Sequence, residues 1–441
     1  MDACNRRSPT CNPSSRFVIN PGHWSAWSGI SLLVFRPFLR YLPDCADIHR
    51  VKNGVVRVPG SDQGMSKTSH VGTHSPDSVV PPSANPTSSA PAAASREEEP
   101  PLSGILDPVE LINQIRQLPP SEWPHGVPQE VQAKMLKPHP PKAWIFEIDI
   151  RTDTGLHSLI GKVYATDRPD IYQIMEKLRQ AGLGPGADFA VPQPVAYVAP
   201  LRLLLQERVE GTPGKKVFKY SKESERGLAA ERCARWLARF HAVAAPAGRV
   251  ADAQKYLDDA ERKCRLISAA DRSFASRCEH LLERLRAAAP SPGAIPMCAG
   301  HGDFCELQAI FAGRRTVVVD WDDYDVAEPT RDVAHFIVCL ERLAGMHLGS
   351  IRALDGASDV FLKSYLASGG HPQVAANLPF YRGALWLTPR DDLIRAKSPG
   401  WRESAEIMLD EAFRALGENR QTTARTRRWP AKWEFLPKSV G

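Results

Sequence analysis

The chain has no Cys-x-x-Cys pair, no zinc-type ligand spacing, no block of lysine and arginine, and no uninterrupted apolar run of bilayer length. Its nine cysteines are an odd number at scattered positions, Cys4, Cys11, Cys45, Cys233, Cys264, Cys278, Cys298, Cys305 and Cys339. That pattern excludes a disulfide framework and reads as free thiols in a reducing cytoplasm. Near the N-terminus the longest apolar stretch, 30–42, is broken by Arg36, Pro37 and Arg40, whereas a spanning helix needs roughly 20 apolar residues. Residues 1–30 mix Asn, Arg, Pro, Ser and Trp where an export signal wants a basic start and an unbroken apolar centre. The expectation is a cytoplasmic protein without a membrane partner. Lys and Arg number 56 against 50 Asp and Glu, and no basic face carries interleaved aromatics, so nucleic acid is not an expected partner either. No internal repeat is present.

What is there is globular: 43% hydrophobic and 24% charged residues, in a length of 441 that allows two or three domain-sized units. The 38 prolines cluster in the first third. Residues 66–101 are mostly Ser, Thr, Pro, Ala and Gly, too poor in large apolar groups to offset the entropy of ordering. Residues 1–101 are therefore expected to be a disordered, low-complexity N-terminal region, with an internal Met65 inside it, and 417–441 a C-terminal tail.

Order is expected from about Ile105. Asp107 caps a helix over 108–117. The period then becomes two at Trp144, Phe146, Ile148 and Ile150, and Thr152-Asp153-Thr154-Gly155 turns into a second strand, 157–165, that carries Lys162. Asp167 is expected to cap a helix over 169–181 with Gly182 at its exit. Its apolar stripe is Ile171, Ile174, Met175 and Leu178, with Glu176 beside it. Strands at 191–199 and 201–209 follow. After Gly211 the pattern is helical, clearest over 226–245, and further helices are expected in 253–290, 330–348 and 351–415. The reading is an α+β architecture in which 102–210 form a small antiparallel-sheet lobe with one helix and 211–416 a larger helical lobe.

The chemistry concentrates in His301-Gly302-Asp303-Phe304-Cys305-Glu306-Leu307-Gln308, followed by Ala309–Phe311, a turn at 312–315, and Thr316-Val317-Val318-Val319-Asp320-Trp321-Asp322. This is a loop entering a hairpin, which sets Gln308 opposite Val319 and Asp320. Asp303 stands at the mouth of the same loop. Two carboxylates and an amide oxygen converge, a ligand set that suits Mg²⁺. Gly211-Thr212-Pro213-Gly214-Lys215-Lys216 is no P-loop, since Val209 and Lys216 stand where GxxxxGK[ST] needs Gly and Ser or Thr. His241 reads as a helix-end histidine, and Cys305 has no evident base to activate it.

The arrangement resembles the Brenner-type motif of the aminoglycoside phosphotransferase and choline kinase families, written HGD-x4-N, a short hairpin, then DWE or DFE. The resemblance implies a protein-kinase-like bilobal fold and transfer of the γ-phosphate of ATP or GTP, with Mg²⁺, to a hydroxyl of a small metabolite, sugar, amino alcohol or antibiotic. It implies that Asp303 is catalytic, taking the proton of the acceptor hydroxyl or orienting it. Gln308 and Asp320 would hold magnesium, and His301 and Gly302 would shape the loop. Ala327-Glu328-Pro329-Thr330-Arg331-Asp332-Val333-Ala334 is similar to the family's G-x-P-x-x-D-L-A, with Asp332 as the brace of the catalytic loop. Ile160-Gly161-Lys162-Val163 resembles the strand whose lysine grips the phosphates, and Glu176 would be its ion-pair partner. Leu203–Gly211 resembles the hinge, whose backbone near Gln206, Glu207 and Arg208 would meet adenine. Two departures stand out: Gln308 replaces the family's Asn, and Cys305-Glu306-Leu307 replaces residues that usually end in Pro-Gly. They leave a second reading open, a weak or inactive pseudo-kinase serving as a nucleotide-binding scaffold.

Overall fold

The computed structural model describes residues 102–139, 142–387, 394–395 and 397–418. The expectations for residues 1–101, and for the tail beyond 418, lie outside them.

The chain enters through α1 (Leu102–Leu106) and α2 (Pro108–Arg116). Asp107 Oδ1 accepts from Val109 N at 2.9 Å and Glu110 N at 3.4 Å, capping α2 as its sequence requires, with proline at the first turn. Then come β1 (Pro128–His139), β2 (Ala143–Thr152) and β3 (Gly155–Tyr164), antiparallel, with Asp153-Thr154 as the two-residue turn between β2 and β3. β4 (Phe189–Ala190), β5 (Pro194–Val198) and β6 (Leu203–Glu207) follow, and the five-stranded sheet has the order β1-β2-β3-β6-β5. β1 is an edge strand in which Val131, Ala133 and Met135 alternate with Gln132 and Lys134; Val131 is buried in the lobe's core and Ala133 packs against it, a short period that the sequence reading passed over.

Alternation in β3 divides the lobe's two sides. Leu159 and Val163 enter a core with Phe146, Ile148 and Ile150 of β2 and with Leu111 and Ile115 of α2. The intervening residues, including Lys162 and Tyr164, face the other way, and Tyr164 belongs to the second, larger core. On that side lies α3 (Pro169–Leu178), which buries Ile171, Met175 and Leu178. Asp167 does not cap α3. Arg168 occupies the cap position without a side-chain bond, and Asp167 accepts instead from the Tyr197 hydroxyl at 2.6 Å, a tertiary partner on β5 that outcompetes the local one. α3 also ends sooner than 181, passing into a π-turn over Arg179–Leu183 in which Gly182 adopts φ 96°.

Beyond β7 (Thr212–Pro213) the chain is mostly helical: α4 (Gly214–Tyr220), α5 (Glu223–Val243), β8 (Val250–Ala251), α6 (Ala253–Ala270) and α7 (Ala275–Ala288). β9 (Cys298–Gly300), β10 (Ala309–Ala312), β11 (Arg315–Val318) and β12 (Asp325–Ala327) follow. α8 (Pro329–His347), α9 (Asp355–Ala367), α10 (Val374–Trp386) and α11 (Trp401–Ala415) complete the described chain. Two small sheets, β4-β11-β10-β7 and β8-β12-β9, carry the central loop. α8 is buried on every side from Pro329 to Gly345, although Arg331, Asp332, His335, Glu341 and Arg342 lie on it. Charges in such a helix must be paired, and their pairing organises the site. The fold is α+β, an antiparallel sheet lobe followed by a mostly helical lobe. Among the described residues no helix is long and apolar enough to cross a membrane.

Candidate active site

β9 delivers the chain to His301, which is fully buried. Its Nε2 donates to Val319 O at 3.1 Å, and its Nδ1 accepts from Asp303 N at 3.4 Å. One ring nitrogen donates and the other accepts, so the imidazole is neutral, and burial holds it below the ordinary histidine range. Trp321, 1% exposed, packs on that ring with centroids 4.7 Å apart. Gly302 follows at φ 86°, where a Cβ would sit 2.1 Å from Asp323 O, so the loop admits only glycine there.

Asp332, in the first turn of α8, closes the loop from behind. Its carboxylate accepts from His301 N at 2.9 Å and Gly302 N at 3.3 Å, meets Arg331 Nε at 2.9 Å, and lies 3.3 Å from His241 Nε2. Burial opposes the charge of Asp332, yet Arg331 and His241 hold the carboxyl well below the usual range. Arg331 is shared with Asp325, from 2.5 and 3.1 Å.

In front of the loop six side chains from distant positions meet. Gln308 Nε2 donates to Asp303 Oδ2 at 3.2 Å and to Asp320 Oδ2 at 3.3 Å. Val319 N donates to Gln308 O at 2.9 Å, the hairpin register that sets the amide between the two carboxylates. The hairpin turn is two residues, Gly313-Arg314, tighter than the four-residue turn its sequence indicates. From the first sheet, Lys162 Nζ reaches Asp320 Oδ1 at 2.6 Å and Asp322 Oδ2 at 2.7 Å, and the Tyr164 hydroxyl donates to Asp322 Oδ1 at 3.0 Å. Burial alone would lower the Lys162 pKa, but these anions raise it well above the ordinary value. Asp322 is pushed up by its own burial, against the pull of Lys162. Asp320 adopts φ 70°, a left-handed conformation that a non-glycine residue keeps only when its surroundings impose it.

Asp303 and Asp320 present carboxylate oxygens, and Gln308 an amide whose Nε2 faces both of them and whose Oε1 would be its ligand atom. Asp320 keeps 39% of its side chain exposed and Asp303 28%, so the set opens outward. This donor chemistry fits a hard divalent cation such as magnesium, which retains several waters.

The expected Lys162–Glu176 pair is not formed. Glu176 pairs with Arg179 at 2.8 Å, one turn along its own chain, and Lys162 is taken by the two aspartates. In the hinge, the Glu207 carboxylate grips Arg315 with contacts of 3.0 and 3.2 Å and accepts from Gln193 N. Arg208 pairs with Glu147 at 3.1 Å, and Gln206 lies in β6 opposite Ile160. The Glu207 and Arg208 side chains are thus engaged within the protein. Sequence reasoning passed over Asp322, though it stands in the Asp-Trp-Asp motif, and Tyr164, two residues after Lys162. It also passed over His335, whose Nε2 lies 3.5 Å from Asp303 Oδ1 while Nδ1 donates to Phe304 O.

The model of the phosphotransferase enzyme family matches residues 150–376, more than half of the chain. No curated protein matches it. Among solved structures, a choline/ethanolamine kinase family protein from Mesorhizobium loti is 15% identical, with 70% of this chain and 95% of that one covered and a TM-score of 0.47. A macrolide 2'-phosphotransferase from Brachybacterium faecium is 18% identical, with 64% and 92% covered and a TM-score of 0.38. The matched span contains Lys162, the His301–Gln308 loop, the hairpin to Asp322 and Asp332, and the chain belongs to the phosphotransferase enzyme family.

Proposed function

We propose that this phosphotransferase is a small-molecule kinase, moving the γ-phosphate of ATP or GTP to a hydroxyl of a small acceptor. One observation carries the reading: Lys162 of the sheet and Asp303, Gln308 and Asp320 of the loop and hairpin meet in a single cluster. Phosphoryl transfer leaves little covalent chemistry to the protein and rests on positioning and charge, which such a cluster supplies.

Asp303 is the residue that accepts the proton of the acceptor hydroxyl or orients it, since its carboxylate is partly exposed and held from two sides. Gln308 through its amide oxygen and Asp320 are the residues that would hold magnesium; the Gln308 amide would then turn over, exchanging Nε2 for Oε1. When bound, the cation offsets the negative charge of the nucleotide phosphates. Lys162 binds those phosphates, exchanging one of its two aspartate contacts for them. Since the Glu207 and Arg208 side chains are engaged, adenine contacts at 206–208 fall to the backbone. His301, Gly302 and Asp332 keep the loop in place.

The test is a panel of sugars, amino alcohols and hydroxylated antibiotics scored for phosphate transfer from ATP and GTP in the presence of Mg²⁺. A phosphorylated acceptor, identified by mass, is the expected result. Magnesium-dependent nucleotide binding with no transfer and no nucleotide hydrolysis would favour the scaffold reading instead.

A further inference from the structure

Behind the loop that bears Asp303 lies a second group of ligand atoms that the proposed phosphoryl-transfer chemistry leaves unused. Cys305, Glu306 and Cys339 each place a sulfur or carboxylate oxygen within 4.8 Å of the others, and all three are buried. Glu306 is 1% exposed, and its Oε2 finds no hydrogen-bond partner among the described residues. A buried carboxylate oxygen without a donor is costly unless a cation completes it. The two sulfurs come from different elements, Cys305 from the loop and Cys339 from the middle of α8.

We propose that Cys305, Cys339 and Glu306 form a binding site for a thiophilic divalent cation, zinc by its chemistry, distinct from the magnesium-type oxygen cluster in front of the loop. Two thiolates and a carboxylate select a borderline-soft ion over magnesium, which prefers oxygen ligands throughout. The local charge agrees. Two thiolates and a carboxylate carry three negative charges, which the cation and the buried Arg342 guanidinium, within electrostatic reach of Cys339 and Glu306, together cancel. His335, one turn before Cys339, flanks the site with ring nitrogens 3.8 and 3.9 Å from its sulfur and Nε2 facing Asp303. A cation here ties the middle of the Asp303–Gln308 loop to α8.

The experiment titrates full-length, reduced, metal-free protein with Co²⁺ and then Zn²⁺ in excess Mg²⁺. One equivalent of Co²⁺ should give an intense thiolate-to-metal charge-transfer band in the near ultraviolet, displaced stoichiometrically by Zn²⁺. Cys305→Ser and Cys339→Ser should each lose most of that band. Glu306→Gln, which preserves shape and both sulfurs, should keep a band but bind at least about tenfold more weakly, as loss of a ligand exceeds the effect of an outer-shell change. Cys278→Ser is the control, because Cys264 and Cys278 form another hydrogen-bonded thiol pair, and it should change nothing. Absence of the band in wild type with free thiols would overturn the proposal. So would a band that survives both the Cys305 and Cys339 substitutions, or a Glu306→Gln affinity equal to wild type. None of these readouts depends on phosphate transfer.

Discussion

Replacing Asp332 by Asn keeps the shape of the side chain and removes its charge at the point where α8 holds the catalytic loop. One oxygen of the wild-type carboxylate accepts from His301 N and faces His241 Nε2; the other accepts from Gly302 N and meets Arg331 Nε. An amide has one oxygen, so whichever way it turns, one pair of donors faces an NH₂ group. Removing one partner of a buried ion pair costs about 3–5 kcal/mol, a range that here includes the unpaired donors because they act on the same atoms. At roughly 2 °C per kcal/mol for a protein of this size, Tm should fall by about 6–10 °C. The pH dependence carries the sign of a depressed carboxyl. Its stabilisation is fully present above the unfolded carboxyl value of about 3.9 and is lost as pH falls towards the lower folded value. The wild type and Asp332→Asn should therefore differ by a constant amount between about pH 5 and pH 8 and converge below about pH 4. Thermal melts followed by circular dichroism across that range decide the matter. A shift under about 2 °C, or a gap that widens on acidification, would refute the bracing role.

Asp303→Ala should lower transfer by roughly 10²–10⁴-fold, with ATP affinity by calorimetry little changed; activity within a few-fold of wild type would remove Asp303 from catalysis. For Gln308, the Asn variant should keep part of the activity at a raised Mg²⁺ requirement and the Ala variant almost none. Equal magnesium titrations of wild type and both variants would make Gln308 a loop residue only. Gly302→Ala forces a side chain onto a left-handed backbone, a cost of about 1–2 kcal/mol before its collision with Asp323 O is counted; a melting curve unchanged from wild type would show that the loop tolerates Cβ there. Glu176→Gln should leave nucleotide affinity within about twofold, because its Arg179 pair is local and partly exposed and such pairs contribute little. A large loss of affinity would mean that Glu176 reaches Lys162 once nucleotide binds.

What could be read along the chain was what short-range rules control. The Asp107 cap, the β2–β3 turn at Asp153-Thr154, the amphipathic period of α5 and the position of Gln308 opposite Val319 all follow from spacing, because each is decided by neighbours a few residues away. The motif order placed the chain in its family for the same reason, as a set of local signatures in series. Partner choice was a different matter. Asp167 gave up its helix for Tyr197, Lys162 took Asp320, 158 residues away, together with Asp322, and Glu176 turned to Arg179. β1 has only a short apolar period, Val131, Ala133 and Met135, and pairs along the edge that β2 offers. Cys339 came to Cys305 and Glu306 only because α8 runs buried behind the loop. Charges and sulfurs attract whichever partner the packed chain brings within reach, and at interaction ranges of a few ångströms that selection is made by the tertiary structure, not by position in sequence.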